Sequence, residues 1–230
     1  MIGFDHIGNL GRLGNQMFEY AALRGIADKH GYDVCIPPPD HEGIENYSLH
    51  ECFNLDHIPT GFINNEKYSV EKFFHFNDEL YDTCKDNTSL YGFFQSWKYF
   101  SNIEDIIKKD FTFKKEILGP CKEMMSGVES PIALHIRRTD YLHNSGNHNN
   151  LGLDYYAKAL TQFPKDSNVI VFSDDPQWCK QQDLFSDDRF LVSENTSGYV
   201  DMCLMSLCSD FIIANSTFSW WGAWFANKGK

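Results

Sequence analysis

The stretch His135-Ile136-Arg137-Arg138-Thr139-Asp140-Tyr141 carries the densest chemistry in the chain. It follows an apolar run, Pro131-Ile132-Ala133-Leu134, that reads as a strand. Arginine keeps its charge at any physiological pH, and its planar fork of donors matches phosphate oxygens. Two arginines side by side at a strand end, in a chain of formal charge −12, predict a diphosphate held at a sheet edge. A surface ion pair with Asp140 is the alternative reading.

Three other clusters have comparable chemistry. Asn215-Ser216-Thr217-Phe218-Ser219-Trp220 joins a strand to a helix, where free N–H groups and hydroxyls make an anion site or a plain N-cap. Ser173-Asp174-Asp175-Pro176 follows another strand. It offers carboxylates to a nucleobase or ribose, a metal through a phosphate, or only a turn, and the base or ribose role is favoured. Gly8, Gly11 and Gly14 punctuate a loop as G-x-x-G-x-x-G, which is neither the dinucleotide fingerprint nor a P-loop. Such a loop still lets backbone approach a ligand, with Asn15 and Gln16 at the following helix start.

The elements that must position these clusters alternate strand and helix. Residues 2–7 predict a strand, 16–30 a helix stopped by Gly31, and 34–36 a second strand. Residues 40–88 predict loops and short helices. A strand over 90–94 and a helix ending near Lys108-Lys109 follow, and 114–130 reads as a connection. The second half predicts strands at 132–136, 169–172, 190–192 and 211–214. Between them lie a helix capped by Asp154 and running to Phe163, a short helix after Pro176, and one through Val200–Cys208. Ser216 is expected to cap a last helix over 218–227. This pattern favours mostly parallel sheets covered on both faces, with ligands at the carboxyl ends of the strands.

Composition narrows the partners. Hydrophobic residues make up 42% and aromatics 15%, ample for packed cores. Residues 1–130 carry 12 Lys/Arg against 21 Asp/Glu, and residues 131–230 carry 8 against 11, so the arginine pair sits in the less acidic half. An acidic chain without a basic run argues against nucleic acid. Seven scattered cysteines without C-x-x-C suit reduced thiols rather than disulfides or zinc. Neither an export signal nor an apolar run of about 20 residues is present, which predicts a cytoplasmic protein, or one peripheral at a membrane. The sequons at Asn46, Asn87, Asn195 and Asn215 then read as chance matches.

Five segments, in order, resemble the α-1,2-fucosyltransferases of glycosyltransferase family 11: residues 11–21, 92–100, 135–141, 172–175, and 201–225 with the core Asn215-Ser-Thr-Phe-Ser-Trp-Trp-Gly222. The resemblance implies a GT-B-like α/β fold of two Rossmann-like halves with mostly parallel sheets. The acceptor side is expected over 1–130 and the donor-binding half over 131–230. It implies a galactoside α-1,2-fucosyltransferase with GDP-fucose as donor, a galactose-terminated glycan as acceptor, inversion at the sugar, and neither cofactor nor metal. By position, Arg137 and Arg138 would grip the diphosphate and His135 would line the site. Ser173 and Asp174 would serve the guanosine side. Asn215, Ser216, Thr217 and Phe218 would hold the β-phosphate from the helix start, while Gly14, Asn15 and Gln16 would contribute from the other half.

For the acceptor's proton the candidates are Asp140, Glu19, His143 and His148, and Asp140 has the second possible role of orienting an arginine. Glu19 stands where the family commonly has glutamine, and Thr139 where many members have glycine. The family pattern usually continues past the Trp-Trp-Gly segment, so the C-terminal part is expected to be shortened. That feature keeps open a catalytically silent relative that only binds nucleotide sugar or glycan. A transferase of another nucleotide sugar and a generic phosphate-binding α/β protein are the remaining rivals.

Overall fold

The structure is a computed structural model and describes residues 1–42, 44, 46–64, 67–143, 146, 149–194 and 197–226. His148, the sequon at Asn195 and the expected helix end at Asn227 lie outside the described residues. The chain divides into two compact units, Met1–Lys114 and Lys115–Lys230.

The first unit runs β1 (Ile2–Gly3), α1 (Leu13–His30), β2 (Val34–Cys35), α2 (Leu49–Cys52), β3 (Tyr68–Val70), α3 (Asp78–Thr83), β4 (Thr88–Tyr91) and α4 (Glu104–Asp110). Its sheet order is β2-β1-β4-β3, and every pairing is parallel. Strand β1 is shorter than residues 2–7 because Asp5 leaves the ladder. Its N–H donates to Ser89 Oγ (2.9 Å) and its carboxylate accepts from the Ile63 N–H (3.0 Å). Helix α1 is nearly all buried, so its apolar residues do not trace one face. It ends at Gly31, whose φ of 68° is left-handed. Gly25 is demanded by packing, since a Cβ there would lie 2.0 Å from the Tyr99 carbonyl oxygen. Strand β4 stops at Gly92, whose φ of 143° a side chain would not tolerate, so the expected strand over 90–94 is displaced towards the N-terminus. Strand β3 had no counterpart in the sequence reading. Tyr68 and Val70 of this edge strand are exposed, so no apolar face marks it.

The second unit runs α5 (Lys115–Met124), β5 (Ile132–Ile136), α6 (Thr139–His143), α7 (Leu153–Leu160), β6 (Val169–Ser173), α8 (Pro176–Lys180), β7 (Phe190–Val192), α9 (Gly198–Ser206), β8 (Asp210–Ile212) and α10 (Thr217–Ala226). The stretch read as a connection thus carries α5. Buried Ile117 and Cys121 face inward there, and the Cys121 thiol donates weakly to the Val200 carbonyl of α9. Helix α7 is preceded by extended Gly152 rather than capped by Asp154, which lies in its first turn.

The second sheet has the order β7-β6-β5-β8, again all parallel. The chain moves outward from β5 to β6 to β7 and then returns to the other side of β5. The order therefore reverses between β5 and β8, and ligands of open α/β sheets lie outside the carboxyl ends at such a point. One face of β5 supplies Ile132, Leu134 and Ile136 to a core with Tyr156, Leu160, Val169, Val171 and Ile212. Alternation turns His135 to the opposite face.

Candidate active site

Sheet register brings the clusters of the second unit together. Ile136 pairs with Ser173, so Arg137 and Asp174 leave adjacent strands at the same height. Leu134 pairs with Ile212, the last residue of β8, so residues 213–215 continue alongside 135–137. The connection is direct at two points. The His135 and Phe218 rings are 5.5 Å apart, and the Tyr141 hydroxyl donates to the Asn215 carbonyl (3.1 Å). The arginine loop and the entry to α10 therefore flank one crevice, spanned by Tyr141.

The two arginines are held differently. Arg137 places Nη1 on Asp174 (3.0 Å) and Nη2 on Asp140, so both ends of its fork are engaged. Arg138 uses Nε for Asp175 (3.2 Å) and lies 3.6 Å above the Trp178 ring. Among the described residues its two terminal nitrogens have no hydrogen-bond partner, which leaves them for a ligand. Asp174 is occupied from three sides. One oxygen accepts the Arg138 backbone N–H (2.9 Å), and the other accepts Thr139 Oγ and Arg137. It therefore shapes the arginine loop. Thr139, the departure from the family pattern, uses its hydroxyl for this bond. Ser173 Oγ accepts the Asp175 N–H (3.0 Å) and so tightens the turn into α8.

His135 is 4% exposed, and burial together with the Arg137 charge holds its imidazole down at about 4. It is neutral at physiological pH and lines the crevice without adding charge. On the other side, the Ser216 carbonyl accepts the Trp220 N–H (3.1 Å), which makes Ser216 the residue before the first turn of α10. Ser219 folds back onto the Ala214 and Ser216 carbonyls (3.3 Å each) and fixes the approach. The ten-residue helix α10 thus begins at Thr217, directly after the residues that follow β8.

The first unit also has its order reversal, between β1 and β4, and its loops meet there. Gln95 Nε2 donates to Asn15 Oδ1 (3.1 Å). Gly11 (φ 94°) makes room for the Asn15 amide, which a Cβ would strike at 2.1 Å. Gly14 is buried at the start of α1. Gln16 is fully buried and bonded to the loop around it. Its amide N–H group serves the Gly11 carbonyl (3.3 Å) and the Asn46 carbonyl, and its oxygen accepts the Ser48 N–H (2.9 Å). Glu19 is also excluded as a base. It is 0% exposed, both carboxylate oxygens lack hydrogen-bond partners among the described residues, and burial raises its pKa well above the ordinary carboxylate range. His143 is exposed at the end of α6.

Sequence reasoning missed Tyr141 as the link across the crevice, and it missed Trp178. It also missed the double use of Asp175, which accepts the Trp178 N–H (3.2 Å) while binding Arg138. The Asp175-Pro176 pair was the available signal, because Pro at the first helical position marks the residue before it as a cap.

Two parallel α/β units, one with charged donors at its order reversal, define a protein of the GT-B-like class. The chain belongs to glycosyl transferase family 11, whose model matches residues 3–230. It is 33% identical to an alpha-1,2-colitosyltransferase of Escherichia coli, over 94% of this chain and 86% of that protein. It is 25% identical to galactoside alpha-(1,2)-fucosyltransferase 2 of Sus scrofa, over 97% of this chain and 70% of the relative. Its fold is shared with the fucosyltransferase NodZ from Bradyrhizobium (TM-score 0.63, 15% identity, 96% of this chain and 92% of that one). POFUT1 in complex with GDP is similar at TM-score 0.63 and 12% identity, covering 100% and 95%. Among the described residues no helix is long and apolar enough to cross a membrane.

Proposed function

We propose that the protein is an inverting galactoside α-1,2-fucosyltransferase that moves fucose from GDP-fucose to the 2-hydroxyl of a galactose-terminated glycan. The reading is carried by the arginine loop and the α10 entry meeting at the β5/β8 reversal, where Tyr141 reaches the Asn215 carbonyl and His135 lies against Phe218. As the glycosidic bond to the nucleotide breaks, positive charge spreads over the sugar ring and negative charge gathers on the β-phosphate. Arg138 approaches that phosphate from one side. The N–H groups at the start of α10, with the Ser216 and Thr217 side chains, approach from the other. These groups are fixed before the reaction, so they stabilise the charge as it develops more than the bound donor.

Arg137 supports Arg138 by tying Asp174 and Asp140 into the same loop. His135 and Phe218 form the neutral wall beside the diphosphate. Asp140, whose side chain is half exposed, orients Arg137 and is assigned as acceptor of the galactose proton. The Met1–Lys114 unit is read as the acceptor side and the second unit as the donor side. No metal is needed in this scheme because arginine and helix N–H groups supply the positive charge. A cytoplasmic location is part of the same proposal.

The colitosyltransferase relative supports a second reading in which the donor carries colitose. Incubation with GDP-fucose or its colitosyl counterpart, and a set of galactose-terminated oligosaccharides with and without a chelator, tests both. Chelator-insensitive formation of an α-1,2-fucosylated product is expected. Transfer from the colitosyl donor alone would establish the second reading, and donor binding without transfer would establish a silent relative.

A further inference from the structure

We infer that Trp178 is a positioning residue that sets the plane of the Arg138 guanidinium for the donor diphosphate. The inference rests on the proposed donor site and assigns a role to a residue outside the arginine and α10 loops. Arginine has a long, flexible stem, and a fork aimed at phosphate must lose that freedom on binding unless the protein removes it first. Three contacts remove it here. The backbone is fixed by the Arg138 N–H on Asp174 (2.9 Å). The inner edge of the guanidinium is fixed by Nε on Asp175 (3.2 Å). The plane is fixed by the indole face, 3.6 Å from Cζ.

Asp175 and Trp178 form one seat, because the other Asp175 oxygen accepts the Trp178 backbone N–H (3.2 Å). The indole in turn packs against the core that includes Ile136, Val171 and Cys179. The seat takes the face and inner edge of the guanidinium and leaves its two terminal nitrogens, the pair that matches two phosphate oxygens. Arg137 has no such arrangement. Its ring neighbour Tyr141 is 5.4 Å away, and both of its terminal nitrogens are held by carboxylates.

The test is a double-mutant cycle on GDP affinity and turnover with wild type, Trp178→Leu, Arg138→Ala and the double variant, with Trp178→Phe as the conservative control. Thermal melts first establish that each variant folds. Loss of the indole face is expected to weaken GDP about 3- to 30-fold, the range of a cation–π contact between exposed and desolvated. It should also lower kcat with little change in the acceptor KM. Trp178→Phe should recover most of the loss. In the Arg138→Ala background, Trp178→Leu should have almost no further effect.

An equal loss from Trp178→Leu in both backgrounds would overturn the inference, because Trp178 would then act without the arginine. A ligand-free readout separates this result from failure of the donor site. The Arg138 side-chain Nε–H, identified by its absence in Arg138→Lys, should show rigid NMR relaxation in wild type and mobile relaxation in Trp178→Leu. If wild type fails to bind GDP, the donor reading falls and this relaxation alone decides. Equal mobility in the two proteins would sink the positioning role.

Discussion

The two units are built on one plan and differ in what fills the crevice. Each has a four-stranded parallel sheet whose order reverses beside its first strand, and in each a side chain spans that reversal. In the first unit the bridge is an amide pair, Gln95 to Asn15, and the loop beneath is knitted by the neutral Gln16 amide. In the second the bridge is a phenol, Tyr141 to Asn215, beside two guanidinium groups and three aspartates. The common plan builds two possible ligand edges, and side-chain chemistry decides which of them is equipped for an anion. Buried amides rigidify a loop at little electrostatic cost. Charged groups there need carboxylate partners in the resting state, and a phosphate is the ligand that uses the nitrogens left over.

The largest effect should follow from breaking the charged crevice. Arg138→Ala is expected to cost about 3–4 kcal/mol of barrier, a few hundred- to thousand-fold in turnover, as for loss of an oxyanion donor. Asn15→Ala, its counterpart in the neutral crevice, should change GDP affinity far less. Steady-state assays and calorimetry on the two variants compare the halves directly, and similar losses would erase the contrast.

Gly25→Ala probes the first unit as scaffold. The new Cβ meets the Tyr99 carbonyl oxygen at 2.0 Å, so α1 must shift. The expected cost is about 1–3 kcal/mol of stability, read by denaturant melts, with GDP affinity of the folded protein retained.

The smallest effect concerns two buried carboxylates of that unit. Asp110 is 3% exposed but accepts from Tyr20 (2.8 Å), His57 (2.9 Å) and Arg24 (3.3 Å). Among the described residues Glu19 has no hydrogen-bond partner, and its pKa is raised by burial. The folded protein therefore holds a proton on Glu19 that the unfolded chain releases above its ordinary pKa. Its contribution to stability is complete in acid and shrinks as pH rises towards the folded pKa. Glu19→Gln should raise the melting temperature, by an amount that is small near pH 4 and larger at pH 8. His135 tilts the wild-type curve the other way. Its folded pKa of about 4 lies below its ordinary value, so its contribution is complete above pH ~6.5 and is lost as pH falls through about 4. A flat difference between Glu19→Gln and wild type across this range would contradict the account of Glu19.

The regular strands of the second unit were legible because all five residues of β5 are buried and its neighbours are short apolar runs between turn residues. The arginine pair and the α10 entry were legible for the same reason, since both follow such strands directly. Edge strand β3 was not, because its side chains are half in solvent and mark no face. Helix α5 was not, because a proline and two lysines obscure the few positions that pack on α9. Within the site, sequence could supply residue types but not their partners. Asp174 offered two carboxylate oxygens, and only sheet register revealed that the neighbouring loop takes both. Gln16 stands at a helix start in the sequence, and only the structure shows its amide bonded to the loops around Gly11 and Ser48.

The most direct test of the shared crevice is amide hydrogen exchange with and without GDP. The account predicts that GDP slows exchange in two separated stretches together, 137–142 and 215–220, because both close on the same diphosphate. Protection of only one stretch, or of residues 8–16 in place of both, would contradict it.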